Sequence, residues 1–167
     1  MSKLEEEKSV HGPLADCYVL SPVRSREVVM TFLERHAPIR VPAWDTKESP
    51  SQLDGFVGES TEARLLEFLQ GQPSLECTLY FRCIQQRPET VAEFAMVSFN
   101  GDGSLIFGLS GHEGAGPGLL LDLEKLSHQS GYWTVEEAPA CSRTEFEMMR
   151  ARRQAALGVA PEGPRSP

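Results

Sequence analysis

The chain has 167 residues, of which 40% are apolar and 24% charged, and its formal net charge at pH 7 is −8. This composition predicts one globular domain that buries roughly 70% of its unfolded surface and needs no metal or disulfide to fold. No run of about 18 apolar residues is present, which argues against a transmembrane helix. The N-terminus is charged rather than apolar, so we expect no export signal and a cytoplasmic protein without membrane contact.

The negative charge is concentrated in the middle of the chain. Residues 44–142 hold five basic and fifteen acidic side chains, whereas residues 1–43 are neutral overall and residues 143–167 carry +2. An acidic surface repels phosphate backbones, so we expect no nucleic-acid binding, and it would attract a basic protein partner. The same acidic surface is also explained by solubility alone.

Four cysteines are present: Cys17, Cys77, Cys83 and Cys141. Disulfides between them are not expected in a reducing compartment. No Cys-x-x-Cys pair or suitably spaced histidine indicates a zinc site, and we expect no metal and no cofactor. Cys77 and Cys83 lie in a predicted strand whose apolar and polar residues alternate, and both fall on its apolar face. This position predicts buried, reduced thiols.

The first predicted elements follow a polar segment, 1–13, that we expect to be disordered. Residues 15–20 are predicted to form a strand. Ser25 is a suitable N-cap for a helix over 26–36, whose apolar side chains fall on one stripe. Pro38 ends that helix because proline cannot continue its hydrogen bonding.

The segment from Pro38 to Glu59 has no sustained periodicity. Ile39 and Val41 alternate with Arg40 and predict a short edge strand, but a connection of this length is usually functional or disordered. Within this segment, residues 44–59 carry one tryptophan, and four acidic side chains against a single lysine. We predict a partner-binding site here, formed by Trp44, Asp45, Glu48, Asp54 and Glu59.

The middle of the chain predicts a helix and three strands. Ser60 or Thr61 caps a second helix, which ends before Gly71. Strict alternation of apolar and polar residues over 75–84 predicts a strand with one wet face. Residues 93–110 predict an antiparallel hairpin. Its two strands, 93–99 and 104–110, are apolar at nearly every position and should lie centrally, and Asn100–Gly103 is the turn between them.

The last part of the domain predicts a helix over 119–126, a strand over 132–136, and a final helix from about 143 to 157. Ser142 and Glu145 form a capping box at the start of that helix. We expect a disordered tail over 158–167.

These elements predict a single α+β domain over residues 14–157. Because hairpin strands lie in the middle of the sequence and helices lie before and after them, we expect an antiparallel sheet of four to six strands. The helices should lie mainly on one face of that sheet.

The sequence contains no complete catalytic motif. The glycine-rich stretch 111–118 precedes a helix, where phosphates can bind, but its spacing is neither G-x-G-x-x-G nor a P-loop. Whether it binds a small ligand stays open. His112 and Glu113 could act as an acid–base pair but have no recognisable partners, and Ser110 lacks the G-x-S-x-G spacing. The arginines at 150, 152 and 153 fit a solvated helix face. We predict no catalytic residue.

One segment resembles a known family. The sequence Phe-Asn-Gly-Asp-Gly-Ser-Leu-Ile-Phe-Gly-Leu-Ser (99–110) is similar to a hairpin in small bacterial immunity proteins, which neutralise a cognate toxin. The resemblance implies a non-enzymatic protein that occludes a partner with a basic surface, and it carries over no functional residue. Two alternatives stay open: a small-molecule-binding or regulatory domain, and an enzyme with an unrecognised site.

Overall fold

The fold is that of a computed structural model, which describes residues 14–21, 23–42, 62–84, 92–135 and 139–158. Within these ranges the chain forms one six-stranded antiparallel sheet and four α-helices. The predicted α+β class is therefore confirmed. The predicted tails, 1–13 and 158–167, lie outside the described residues except for Gly158.

The strands are β1 (Leu14–Ser21), β2 (Arg40–Pro42), β3 (Cys77–Cys83), β4 (Ala92–Phe99), β5 (Leu105–His112) and β6 (Tyr132–Thr134). The helices are α1 (Arg26–His36), α2 (Glu62–Gln70), α3 (Gly116–Ser127) and α4 (Arg143–Ala156). A short 3-10 turn (Glu113–Ala115) leads into α3. Every predicted helix and strand is confirmed, with small shifts at the ends.

The strands lie in the order β2-β3-β4-β5-β1-β6, and all neighbouring pairs are antiparallel. β4 and β5 form the predicted hairpin, whose turn is closed by hydrogen bonds between Asn100 and both Gly103 and Ser104. Gly103 has a φ of +83°, a conformation that glycine adopts without a steric cost. Both hairpin strands lie inside the sheet, as their apolar sequences predicted.

The larger hydrophobic core lies on the sheet face covered by α1, α2 and α3. Phe32 of α1 stacks on Phe107 of β5, with ring centroids 4.4 Å apart. The apolar stripes predicted for the helices supply most of the other contacts. The largest fully buried side chains of this core include Leu33, Leu66, Leu69, Phe81 and Leu119.

The second face of the sheet carries a smaller core under α4 alone. Phe146 and Met149 of α4 pack on Tyr18, Ile106 and Tyr132. The prediction of helices mainly on one face is confirmed, since three of the four described helices share the first face. No described helix contributes to the second face at β2, so the side chains there are exposed.

Arg24, between β1 and α1, joins distant parts of the fold. Its guanidinium lies 5.0 Å from the centre of the Phe99 ring. It donates hydrogen bonds of 2.7–3.2 Å to the backbone oxygens of Leu69, Gln72, Leu75 and Asn100. This one side chain therefore holds the end of α2 against the β4–β5 turn.

The β4–β5 turn also fixes the start of α4. The Asp102 carboxylate accepts hydrogen bonds from Ser104 and from the backbone N–H of Arg143, the latter at 2.8 Å. Burial alone would raise the pKa of Asp102, but these hydrogen bonds lower it overall. The Ser142 hydroxyl accepts from the Glu145 N–H at 3.1 Å, which confirms the N-terminal cap predicted for this helix.

Candidate partner-binding site

The predicted partner-binding residues lie in the segment 43–61, which joins β2 to α2 and falls outside the described residues. They are Trp44, Asp45, Glu48, Asp54 and Glu59. The structure does describe both ends of this segment, Pro42 and Glu62. The candidate site can therefore be built from the residues that flank the segment.

The two ends of the segment are joined by an ion pair between Arg40 and Glu62. The Nη2 and Nε atoms of Arg40 lie 2.5 Å and 3.1 Å from the two carboxylate oxygens of Glu62. Both side chains are largely buried, with exposed fractions of 11% and 17%. A bidentate arginine–carboxylate pair fixes both groups in one relative geometry, so the base of the segment is closed.

Arg40 also ties β2 to α1. Its Nη1 atom donates to the backbone oxygen of Ala37 at 2.9 Å and to the carboxylate of Glu34 at 3.3 Å. Its guanidinium lies 5.9 Å from the centre of the Phe81 ring. Burial lowers the pKa of Arg40, but the hydrogen bonds and charges of Glu62 and Glu34 raise it overall. The guanidinium is therefore a permanent positive charge at this position.

The opposite face of the same strands carries exposed apolar side chains. Ile39 lies opposite Ile84, whose N–H donates to the Ile39 oxygen at 3.0 Å, and Val41 pairs with Arg82. The exposed fractions of Ile39, Val41 and Ile84 are 48%, 41% and 58%. Because side chains alternate along a strand, these four residues share the sheet face that Arg40 does not. We call Ile39, Val41, Arg82 and Ile84 the edge patch.

The backbone of β2 is poorly suited to pairing with another strand. The carbonyl of Ile39 points toward β3, so alternation directs the backbone groups of Arg40 and Pro42 away from the sheet. Proline has no N–H, which leaves Arg40 as the only outward N–H donor within Arg40–Pro42. A proline and a short length both protect a sheet edge from strand addition. A partner at this edge would therefore contact side chains.

The glycine-rich stretch contributes to packing. The Cys17 thiol donates to the Gly116 oxygen at 3.2 Å, and a Cβ atom at Gly116 would lie only 3.1 Å from Ala15 and from Trp133. The stretch thus brings the start of α3 close to β1. The Nε2 atom of His112 lies 3.4 Å from a carboxylate oxygen of Glu93 on β4.

Two polar pairs on the α4 side of the second face were not anticipated. Ser110 donates to the Asp16 carboxylate at 2.5 Å, and Arg153 donates to the Thr134 hydroxyl at 2.5 Å. The arginine group on α4 is therefore not simply a solvated face, because Arg153 reaches the sheet. Ser110 and Asp16 occupy paired positions on strands distant in sequence, and no local pattern could have indicated that pairing.

The four cysteines are free thiols. Cys17 is buried, but Cys77 and Cys83 are only half-buried, so the prediction that both are buried was wrong in degree. They lie on β3, next to the edge strand β2. Burial still raises the pKa of each of these two thiols to about 11, and that of Cys17 to about 12.

Three further observations concern metal binding and membrane spans in the described residues, and similarity of the chain to known proteins. The described residues contain no group of three or more His, Cys, Asp or Glu side chains that could hold a metal ion. None of the described helices has the length and apolar character required to cross a membrane. Family models, curated proteins and solved structures give no match to this chain. A functional proposal must therefore come from the residues themselves.

Proposed function

We propose that the protein binds another protein through the edge patch and the adjacent segment 43–61. The observation that carries this proposal is the position of three exposed aliphatic side chains, Ile39, Val41 and Ile84, directly beside a segment whose ends are closed by an ion pair. Long connections within a domain are usually functional or disordered. The segment begins directly after Pro42, the last residue of β2.

The composition of this region suits an interface. Single exposed apolar residues are common, but a cluster of them is typical of interaction sites. Protein interfaces combine an apolar centre with a polar rim. Here the aliphatic side chains of the edge patch would supply the centre, and Trp44 adds the residue type most enriched among binding hot spots.

The expected partner has a basic surface. Residues 44–59 contain Asp45, Glu48, Asp54 and Glu59 against Lys47, a net charge of −3. Opposite charges accelerate association and select the correct partner. A cognate toxin that is occluded on binding, as in immunity proteins, is the specific form of partner that we propose.

Substitutions in both halves of the surface test this proposal once a partner has been purified. The double change of Asp45 and Glu48 to lysine should slow association and weaken its salt dependence, because it removes the attraction of opposite charges. The double change of Ile39 and Ile84 to serine should weaken binding at least roughly tenfold, mainly by faster dissociation. Stopped-flow and calorimetric titrations measure these effects.

Leu121→Ser is the matched control, because Leu121 is 52% exposed on α3, away from the edge patch. It should bind like the unaltered protein. Wild-type affinity and rates in both double variants, with circular dichroism showing an intact fold, would remove this surface from the interface. A chain that forms no saturable complex of defined stoichiometry with any purified candidate would contradict the function itself.

A further inference from the structure

His36, the last residue of α1, is a buried histidine without polar partners. Its exposed fraction is 4%, and its ring lies 5.4 Å from the ring of Phe32. Both ring nitrogens are buried, and neither forms a hydrogen bond with the described residues. A neutral imidazole tolerates this environment at a cost, but an imidazolium has two N–H donors and a charge that need acceptors or water.

The backbone around His36 connects α1 to the edge of the sheet. The thiol of Cys83 on β3 lies 3.8 Å from the His36 carbonyl oxygen and donates to it. The next carbonyl, that of Ala37, accepts the Arg40 hydrogen bond described above. The backbone at His36 and Ala37 therefore lies where α1, β2 and β3 meet, and we call this meeting point the α1–β2 corner.

Few charged or titratable groups act on the ring. Arg35 lies on the same helix, Asp122 lies on α3, Cys83 lies on β3, and Arg40 reaches the corner from β2. Burial and the charge of Arg35 lower the pKa of His36 to about 4, and Asp122 offsets this only in part. None of these groups forms a hydrogen bond with the ring, so a proton on the ring would lack a hydrogen-bond acceptor among the described residues.

We propose that His36 is an acid-sensitive switch: when its ring takes up a proton from solvent, the α1–β2 corner opens. Displacement of β2, which is three residues long and lies at the sheet edge, would break the Arg40–Ala37 hydrogen bond and release the end of α1 that carries the ring. Short edge elements are the regions that open locally at low free energy. This inference does not depend on whether the edge patch binds a partner.

The size of the effect follows from the two pKa values. The pKa of His36 is about 4 in the closed corner and about 6.5 when the ring is solvated. A lowered histidine pKa means that the closed state is fully stable above pH 6.5 and loses stability as the pH falls toward 4. Between pH 7.5 and pH 4.5 the opening equilibrium should therefore shift about seventy-fold toward the open state.

Amide hydrogen exchange of the full chain tests the switch. The reporter is the Ile84 amide, which bonds to Ile39 across β2 and β3. After correction for intrinsic exchange rates, its protection factor should fall about seventy-fold from pH 7.5 to pH 4.5. His36→Phe, which keeps a ring but cannot be protonated, should remove most of this fall. His128→Asn should not, because His128 is exposed and asparagine tolerates its left-handed conformation.

A second measurement keeps the inference testable if His36→Phe does not fold. The ring of His36 can be titrated by NMR in the unaltered protein. A pKa near 4, accompanied by acid-dependent exchange at Ile84, would support the switch. A native pKa near 6.5 would overturn it. An equal acid-dependent loss of protection in His36→Phe would also overturn it, because the loss would then come from carboxylates such as Glu34 and Glu62.

Discussion

Arg40 and Glu62 form two hydrogen bonds to each other across the ends of a nineteen-residue segment. Closing a segment of this length costs conformational entropy, which grows only slowly with length. The ion pair offsets part of this entropy cost, and it joins β2 to the first turn of α2.

We expect Glu62→Gln to lower the free energy of unfolding by about 1–2 kcal/mol, because it removes the bidentate charged partner of the largely buried Arg40. Glu34→Gln is the control. Glu34 is 59% exposed and makes one longer contact with the same guanidinium, so its loss should cost less than about 0.5 kcal/mol. Urea denaturation followed by circular dichroism compares the two variants. Equal effects would show that the Arg40–Glu62 pair is not the main constraint.

Substitution by alanine should have very different effects on stability at two glycines on either side of α3. A Cβ atom at Gly131 would overlap the backbone oxygen of Tyr18 and lie 2.7 Å from Val19 Cγ1, whereas one at Gly114 would have no neighbour within 4 Å. Gly131→Ala should therefore cost about 2–4 kcal/mol. Gly114→Ala should change the free energy of unfolding by less than about 0.5 kcal/mol. Thermal or urea unfolding measures both, and a well-tolerated Gly131→Ala would contradict the close approach of β6 to β1.

The thiols should react in a fixed order with iodoacetamide at pH 8. A thiol with a pKa of about 11 is only about 0.1% thiolate at that pH, so Cys77 and Cys83 should react slowly, and Cys17 only on unfolding. Cys141 is exposed and should react first, although burial and Glu145 raise its pKa too. Peptide mapping by mass spectrometry gives the order. Labelling of Cys17 as fast as Cys141 in the native protein would contradict the packing of β1.

The local elements could be predicted because each has a signal in a few neighbouring residues. Ser25 marks the start of α1, alternation marks β3, and the turn residues at Asn100–Gly103 mark the hairpin. These signals depend on backbone propensity and on a period of two or 3.6 residues. They report where an element begins and which side of it is apolar.

Contacts between distant segments left no such signal. The sequence placed Arg40 in an edge strand but could not pair it with Glu62. A segment without sequence periodicity separates the two residues, and several other acidic residues were equally plausible partners. The placement of α4 on the second face was equally hidden, since two buried side chains, Phe146 and Met149, fit either face. The five residues predicted to bind a partner lie between positions 44 and 59, outside the described residues, so their role stays a prediction from the sequence.

The position of β1 between β5 and β6 has a consequence for how the chain folds. Leu14 pairs with His112 and Asp16 with Thr134, so both neighbours of β1 are synthesised long after it. The helices and the consecutive pairs β3–β4 and β4–β5 can form from nearby residues, but the pairings of β1 cannot, and folding that depends on such distant pairings is slow. During translation β1 is an apolar strand without its partners, which makes it the segment most in need of protection from aggregation on the ribosome.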